Sequence, residues 1–417
     1  MFKFLHAADI HLDSPMRGLE DYADAPVEQL RQATRRAFDN LVDLALAEKA
    51  AFLLIVGDLY DGDWKDYNTG LYFISRMARL RREGIRVFLV SGNHDAASHI
   101  SKNLELPDNV HLFTTESPET VRLEELGVAL HGQGYQNRAV AENLAADYPQ
   151  GDPHYFNIGL LHTSLTGREG HEPYAPCSLD DLRARGYAYW ALGHVHKREE
   201  VASDPWVIFP GNLQGRHIHE RGSKGATLVT VSDGSVLSRE HRVLDVVRWE
   251  MCRLDVSECD SLDQVRDAVR AGLEKQGLLA DGRPVALRLE LVGRTALYDV
   301  LQGEAYSLTE NFRGLAAGLG DIWLEKVVYA TQRLFPLEET LEEGTPVADL
   351  IRSLSGFTLA AGDAFELIPE LATLKSKLPP ELLAEEAIFA DVGTTRLAEE
   401  VRELLLTRLL RQHGGGQ

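Results

Sequence analysis

The chain has 417 residues, more than one ordinary hydrophobic core absorbs, so two or three domains are expected. Hydrophobic residues make up 44% and charged residues 26%, which excludes a disordered chain, and no apolar run approaches the roughly 20 residues of a membrane helix. The 43 basic against 64 acidic residues leave a formal net charge of −21, which argues against unaided tight binding of nucleic acid, because neutralising phosphates drives such affinity.

The N-terminus, MFKFLHAADIHLDS, is apolar only briefly and reaches Asp9 before a signal-peptide core can form. It reads as the first β-strand of a cytoplasmic protein. Up to about residue 244, short apolar runs alternate with amphipathic segments, the pattern of an α/β domain. The runs are Phe52–Val56, Val87–Val90, Phe156–Leu161, Tyr189–Leu192, Val207–Phe209 and Ala226–Val231, with helical spacing over Val27–Lys49 and Tyr67–Arg82. A small α+β module is expected over 246–335. Its strand Trp249–Val256 is followed by a helix opened by a Ser261/Gln264 capping box and stopped near Gly277, and Val285 to Leu291 alternate as a half-buried strand. A weaker helix and a strand near Ile322–Tyr329 complete the module. From 336 to 417 the chain reads as acidic and mainly helical. Thr345–Pro346 suits a helix start, and Leu397, Val401, Leu404, Leu405 and Leu409 form an apolar stripe. That stripe fits packing against its own protein or docking onto a partner. Cys177, Cys252 and Cys259 lack CxxC spacing, which argues against a disulfide framework or a thiolate zinc site.

Chemistry concentrates in five short motifs. In order they are Asp9-Ile10-His11, Gly57-Asp58-Leu59-Tyr60-Asp61, Gly92-Asn93-His94-Asp95, His162, and Gly193-His194-Val195-His196. Most follow an apolar run, where open α/β sheets place their ligands. Asp and Asn oxygens with His nitrogens suit Mn, Fe, Zn or Mg better than a soft metal. Residues two apart on a strand share a face, so Asp9 with His11, and His194 with His196, point the same way if those strands stay extended. The glycines at 57, 92 and 193 allow tight turns that present a ligand. Singly each motif is ordinary, and His6, His99, His131, His171, His217 and His219 show that histidine is common here. Five in this order point to a dinuclear metal site.

The ordered motifs resemble the calcineurin-like metallophosphoesterase superfamily over residues 1 to about 244. Ala8-Asp9-Ile10-His11-Leu12-Asp13-Ser14-Pro15 and Pro210-Gly211-Asn212-Leu213-Gln214-Gly215-Arg216-His217 are similar to the DNA repair exonucleases of the SbcD and YhaO type. The resemblance implies an α/β fold: a metallophosphoesterase β-sandwich flanked by helices, then a small α+β capping-type domain and a helical C-terminal region. It implies two divalent metal ions, Mn2+ first, with Fe, Zn or Mg as alternatives. Asp9, His11 and His196 would bind one metal, Asn93, His162 and His194 the other, and Asp58 would bridge them. His94 would be the catalytic histidine and Asp95 its orienting partner. The substrate implied is DNA and the partner an SbcC-like coiled-coil ATPase subunit, with a homodimer left open. Protein phosphatases of this superfamily typically carry Arg where Gly62 stands and Glu where Asp95 stands, which lowers a phosphoprotein reading. Arg168, Lys197, Arg198, Arg216, Arg221 and Lys224 could form a basic rim or be ordinary solvated charges. Two rival readings remain: a small-molecule phosphodiesterase or nucleotidase, and a scaffold that has lost activity.

Overall fold

The computed structural model describes residues 1–14, 32–61, 67–97, 105–165 and 174–334. The Thr345–Pro346 helix start, the stripe at 397–409, Pro15, Gly62, Arg168, and the beginning of the 27–49 helix lie outside the described residues.

In chain order the first region contains β1 (Phe2–Ala7), α1 (Ala33–Ala47), β2 (Phe52–Val56), α2 (Tyr67–Arg82), β3 (Arg86–Val90), α3 (Asn93–Ala97), β4 (Val110–Leu112), β5 (Glu119–Leu123), β6 (Val128–Gly132) and β7 (Phe156–His162). It continues with α4 (Leu179–Arg183), β8 (Tyr189–Gly193), β9 (Glu199–Ser203), β10 (Trp206–Phe209), β11 (Gly225–Ser232) and β12 (Ser235–Val243). These strands make two six-stranded sheets, ordered β12-β11-β1-β2-β3-β4 and β5-β6-β7-β8-β10-β9. The neighbours β1-β2-β3-β4 and β6-β7-β8-β10 run parallel, and antiparallel strands border them.

Alternation along the strands builds the layers. Phe4, Phe52, Leu54, Val56, Phe88 and Val90 face one way and pack with Leu130, Ile158, Leu160, Tyr189 and Ile208 from the other sheet. Leu5, Leu53, Ile55, Val87 and Leu89 face the opposite way and meet Phe38 and Leu41 of α1 and Phe73 and Met77 of α2. The second sheet turns Leu161, Trp190, Leu192, Val207 and Phe209 outward, against Tyr148 and Leu182. The result is the expected β-sandwich flanked by helices. Central strands covered on both faces read as continuous apolar runs, which is why the sequence reveals them. The half-polar strands β4, β5, β9 and β12 lie at sheet edges, and they, with β6, left no such signal.

The chain continues through β13 (Arg248–Asp255), α5 (Leu262–Leu279), β14 (Val285–Thr295), α6 (Tyr298–Gly303), α7 (Ala305–Gly318) and β15 (Ile322–Arg333), with sheet order β13-β14-β15. One compact unit comprises Met1–Met251, Gly277–Leu287 and Asp321–Glu325; a second draws on Cys252–Gln276, Arg288–Gly320 and the segment beginning at Lys326. The capping interaction at the start of α5 is present, with the Gln264 amide donating to Ser261 Oγ at 3.3 Å. The expected stop at Gly277 is not, since α5 runs on to Leu279. A Cβ at Gly277 would lie 3.2 Å from Ile322 Cδ1, so this glycine serves close packing, and the left-handed residues Asp281 and Gly282 follow the helix. Among the described residues no helix is long and apolar enough to cross a membrane.

Candidate metal centre

The ligand candidates emerge where buried strands end. Asp9 follows β1, Asp58 follows β2, Asn93 opens α3 just beyond β3, His162 closes β7, and His194 follows β8. All seven converge on one place, but not through extended strands. Asp9, His11, Asp58 and His194 adopt positive φ, at 51°, 48°, 51° and 99°. Non-glycine residues rarely take this conformation, and its clustering at a site is a mark of function. The pairing of Asp9 with His11 therefore comes from a kinked backbone after β1, correcting the expectation from strand alternation. The glycines also divide by role. Gly57 has φ 82°, as a turn requires, whereas Gly92 and Gly193 have no such φ and provide room. A Cβ at Gly92 would sit 2.3 Å from Asp58 Oδ1, and one at Gly193 would sit 1.8 Å from the Val56 carbonyl oxygen.

Two clusters of donors result. In the first, His11 Nε2 and His196 Nε2 are 3.2 Å apart and Asp9 Oδ1 is 3.9 Å from His196 Nε2. In the second, His162 Nε2 lies 3.0 Å from Asn93 Oδ1, and the His194 ring stands 5.2 Å from the His162 ring. Asp58 Oδ2 lies between them, 3.9 Å from His11 Nε2 and 3.5 Å from His162 Nε2. Asp9 with His11 and His196, and Asp9 with Asp58 and His162, each offer ligand atoms within 4.8 Å of one another. Carboxylate and amide oxygens with imidazole nitrogens fit a hard or borderline divalent cation.

Neighbours outside these clusters orient the rings. His162 Nδ1 donates to the Val56 carbonyl at 3.1 Å, which leaves Nε2 available to a cation, and Tyr135 Oη donates to the His162 carbonyl at 2.6 Å. His196 Nδ1 donates to Glu220 Oε1 at 2.7 Å. His94, whose side chain is 30% exposed beside 29% for His196, has Asp61 Oδ1 at 3.1 Å from its Nδ1. Asp95 was expected to orient that imidazole. Its oxygens instead accept from the backbone amides of Leu59, Tyr60 and Gly92, tying the loop after β2 to the start of α3. Asp61 and Glu220 are the site residues that sequence reasoning missed. Asp61 stood inside a quoted motif, but nothing local to Glu220 marked it. His6, by contrast, is a core histidine, bonded to Tyr189 Oη and the Leu192 carbonyl.

The electrostatics follow from two carboxylates buried side by side. Burial pushes the Asp9 carboxyl up. Burial acts the same way on Asp58, but the imidazoles of His162, His11 and His94 outweigh it and hold that group well below the usual range. Burial drives His11 down to about 3, with the Arg216 charge adding to the effect. It also opposes charge on His162, where the adjacent Asp58 prevails and lifts the pKa to about 9. At His94 burial is likewise overcome, by the Asp61 hydrogen bond and the Asp58 charge, and the pKa is raised. The raised values at Asp9, His162 and His94 express a demand for nearby positive charge, which a divalent cation meets, while the lowered value at His11 keeps that imidazole neutral. The site opens on a cleft of about 850 Å³. Of the cations singled out in the sequence, Lys197, Arg216, Arg221 and Lys224 line it together with Arg138, while Arg198 pairs with Glu200 at 2.6 Å.

Residues 2–198 match the calcineurin-like phosphoesterase family, and residues 249–332 match the middle domain of metallophosphoesterase YhaO. The chain is 38% identical over 294 residues to a Bacillus subtilis protein named uncharacterized metallophosphoesterase YhaO, covering 70% of this chain and 71% of that one. It is 24% identical over 319 residues to the DNA double-strand break repair protein Mre11 of Sulfurisphaera tokodaii, covering 72% and 76%. A dimetal phosphatase structure from Danio rerio aligns over 56% of this chain and 93% of that one, at 13% identity and a TM-score of 0.34.

Proposed function

The chain belongs to the calcineurin-like metallophosphoesterases, within the YhaO family, and from that premise we propose that it is a two-metal phosphodiester hydrolase acting on DNA. The observation that carries the reading is the placement of Asp58 between two donor clusters, with His94 lining the same cleft. Asp9, His11 and His196 would hold one divalent cation, Asn93, His162 and His194 the other, with Asp58 available to both. Mn2+ is the metal proposed. When bound, such a pair supplies Lewis acidity towards phosphate oxygens and a water activated near neutral pH. The protein's own part is positional and protic. Asp61 on Nδ1 leaves His94 Nε2 to hand a proton to the departing oxygen as the phosphorus–oxygen bond breaks.

DNA as substrate is supported by two observations. Relatives at 24% identity are named as DNA double-strand break repair proteins, and five cations line the cleft of a chain whose net charge is −21. Such a cleft can guide a phosphate backbone locally. The overall charge leaves a strong unaided grip without support, and we propose that an SbcC-like ATPase subunit supplies it. The test is hydrolysis of linear duplex, single-stranded and hairpin DNA beside bis-p-nitrophenyl phosphate, with Mn2+ and with chelator. DNA cleavage that chelator abolishes is expected. Cleavage of the small ester alone would favour a small-molecule phosphodiesterase, and inactivity with metals bound would favour a scaffold.

A further inference from the structure

The segment from Pro210 to Glu220 contributes no metal ligand, yet it is tightly built around one. The Asn212 amide donates to the His196 carbonyl at 3.3 Å, and Lys224 Nζ donates to the same oxygen at 2.9 Å. Gln214 is 1% exposed and donates to the Val247 carbonyl at 2.7 Å. Gly215 has to be glycine, because a Cβ there would lie 2.6 Å from the Glu220 carbonyl oxygen. These constraints carry Glu220, 4% exposed, to the back of the His196 ring. A buried carboxylate is costly unless its oxygens are satisfied, and here both are. Oε1 accepts from His196 Nδ1 at 2.7 Å and Arg216 Nη2 at 2.9 Å, and Oε2 accepts from the Arg216 amide at 2.7 Å and Asn212 Nδ2 at 2.9 Å.

Arg216 extends this network across the site. Its Nη1 donates to Ser14 Oγ at 3.3 Å and lies 3.8 Å from Asp61 Oδ2. Ser14 Oγ donates to Asp61 Oδ2 at 2.6 Å, and Asp61 Oδ1 is the atom against His94 Nδ1. An unbroken polar path thus runs from His196 through Glu220, Arg216 and Asp61 to His94.

Resting on the two-metal reading above, we propose that Glu220 is the positioning residue for the ligand His196 and that Arg216 ties that half of the centre to His94. The Nδ1–H to carboxylate contact fixes the imidazole so that Nε2 stays turned towards His11 Nε2 and Asp9. Partners of this kind behind a ligating histidine typically alter metal affinity or activity about 10–100-fold. Arg216, by holding Glu220 and Asp61 at once, sets the distance between the ligand and the proton donor.

Calorimetric titration of the full chain with Mn2+, read beside kcat and KM on bis-p-nitrophenyl phosphate, tests this. The wild-type chain is expected to bind two ions. Glu220→Gln should weaken one of the two about 10–100-fold and leave the other near its wild-type affinity. Glu220→Asp withdraws the carboxylate by one methylene and carries the same expectation should the first variant not fold. Arg216→Met should retain both ions but lose kcat, and Arg216→Lys should recover part of the loss. Two-ion binding with unchanged affinities in the Glu220 variants, or an unchanged kcat in Arg216→Met, would overturn the inference alone. A wild-type chain that binds fewer than two ions would overturn the two-metal reading, and with it this assignment.

Discussion

At the residue scale, ligands and catalyst are separable. Asp58 stands between the clusters and is buried, whereas His94 is partly open to the cleft and held by Asp61. His94→Ala is expected to keep its metal and lose turnover by about 10²–10⁴-fold, the usual contribution of a positioned acid. Asp58→Ala is expected to lose both. Metal analysis alongside kcat checks this, and full occupancy in the Asp58 variant would refute it. A second prediction concerns stability. Burial drives the His6 pKa down to about 3, against 6.5 for the unfolded chain. Between those values the unfolded chain binds a proton that the native protein refuses. The stabilisation is therefore complete above pH 6.5 and lost progressively as pH falls. From pH 7 to 5 the loss is about 2 kcal/mol, and His6→Gln, having no titration there, should show a drop smaller by about that amount in urea unfolding. Equal drops would show that His6 is not the group responsible.

At the scale of elements, two glycines that look alike in sequence do different things. A Cβ at Gly57 would fall 2.1 Å from His162 Nδ1, and the backbone there has φ 82°. A Cβ at Gly277 would meet only the end of the Ile322 side chain, at 3.2 Å, inside the helix α5. Gly57→Ala should destabilise by about 1–3 kcal/mol and weaken metal binding, because the ring that must move is a ligand. Gly277→Ala should stay within about 1 kcal/mol of wild type, the helix propensity gained offsetting the tighter contact. Urea midpoints of the two variants, with a metal titration of the first, decide it. The stop expected at Gly277 failed for the same reason: glycine reports a need for space as readily as a need for left-handed backbone.

At the scale of the molecule, charge is the unresolved pull. A net −21 opposes DNA overall, whereas Arg138, Lys197, Arg216, Arg221 and Lys224 gather at the cleft. The isolated chain is therefore expected to bind duplex DNA weakly and to lose that binding as salt rises. Affinity purification from cell extract should recover an SbcC-like ATPase, and the recovered complex should bind duplex more tightly than the chain alone. Fully processive duplex digestion by the isolated chain would contradict this partnership.

What the sequence alone determined was the scaffold and which candidate residues it brings together. Asp58, Asn93, His162 and His194 each sit at or just beyond a largely apolar strand, and both signals are local enough to read along the chain. The tertiary structure decided the partnerships. Glu220 reaches His196 across 24 positions, and Asp61 rather than its neighbour in motif, Asp95, meets His94. Such pairings depend on where the chain returns after a turn, and on left-handed kinks at Asp9 and His11 that no periodicity announces. The candidate ligands are written in short-range pattern, whereas the side chains that stand behind them are set by packing.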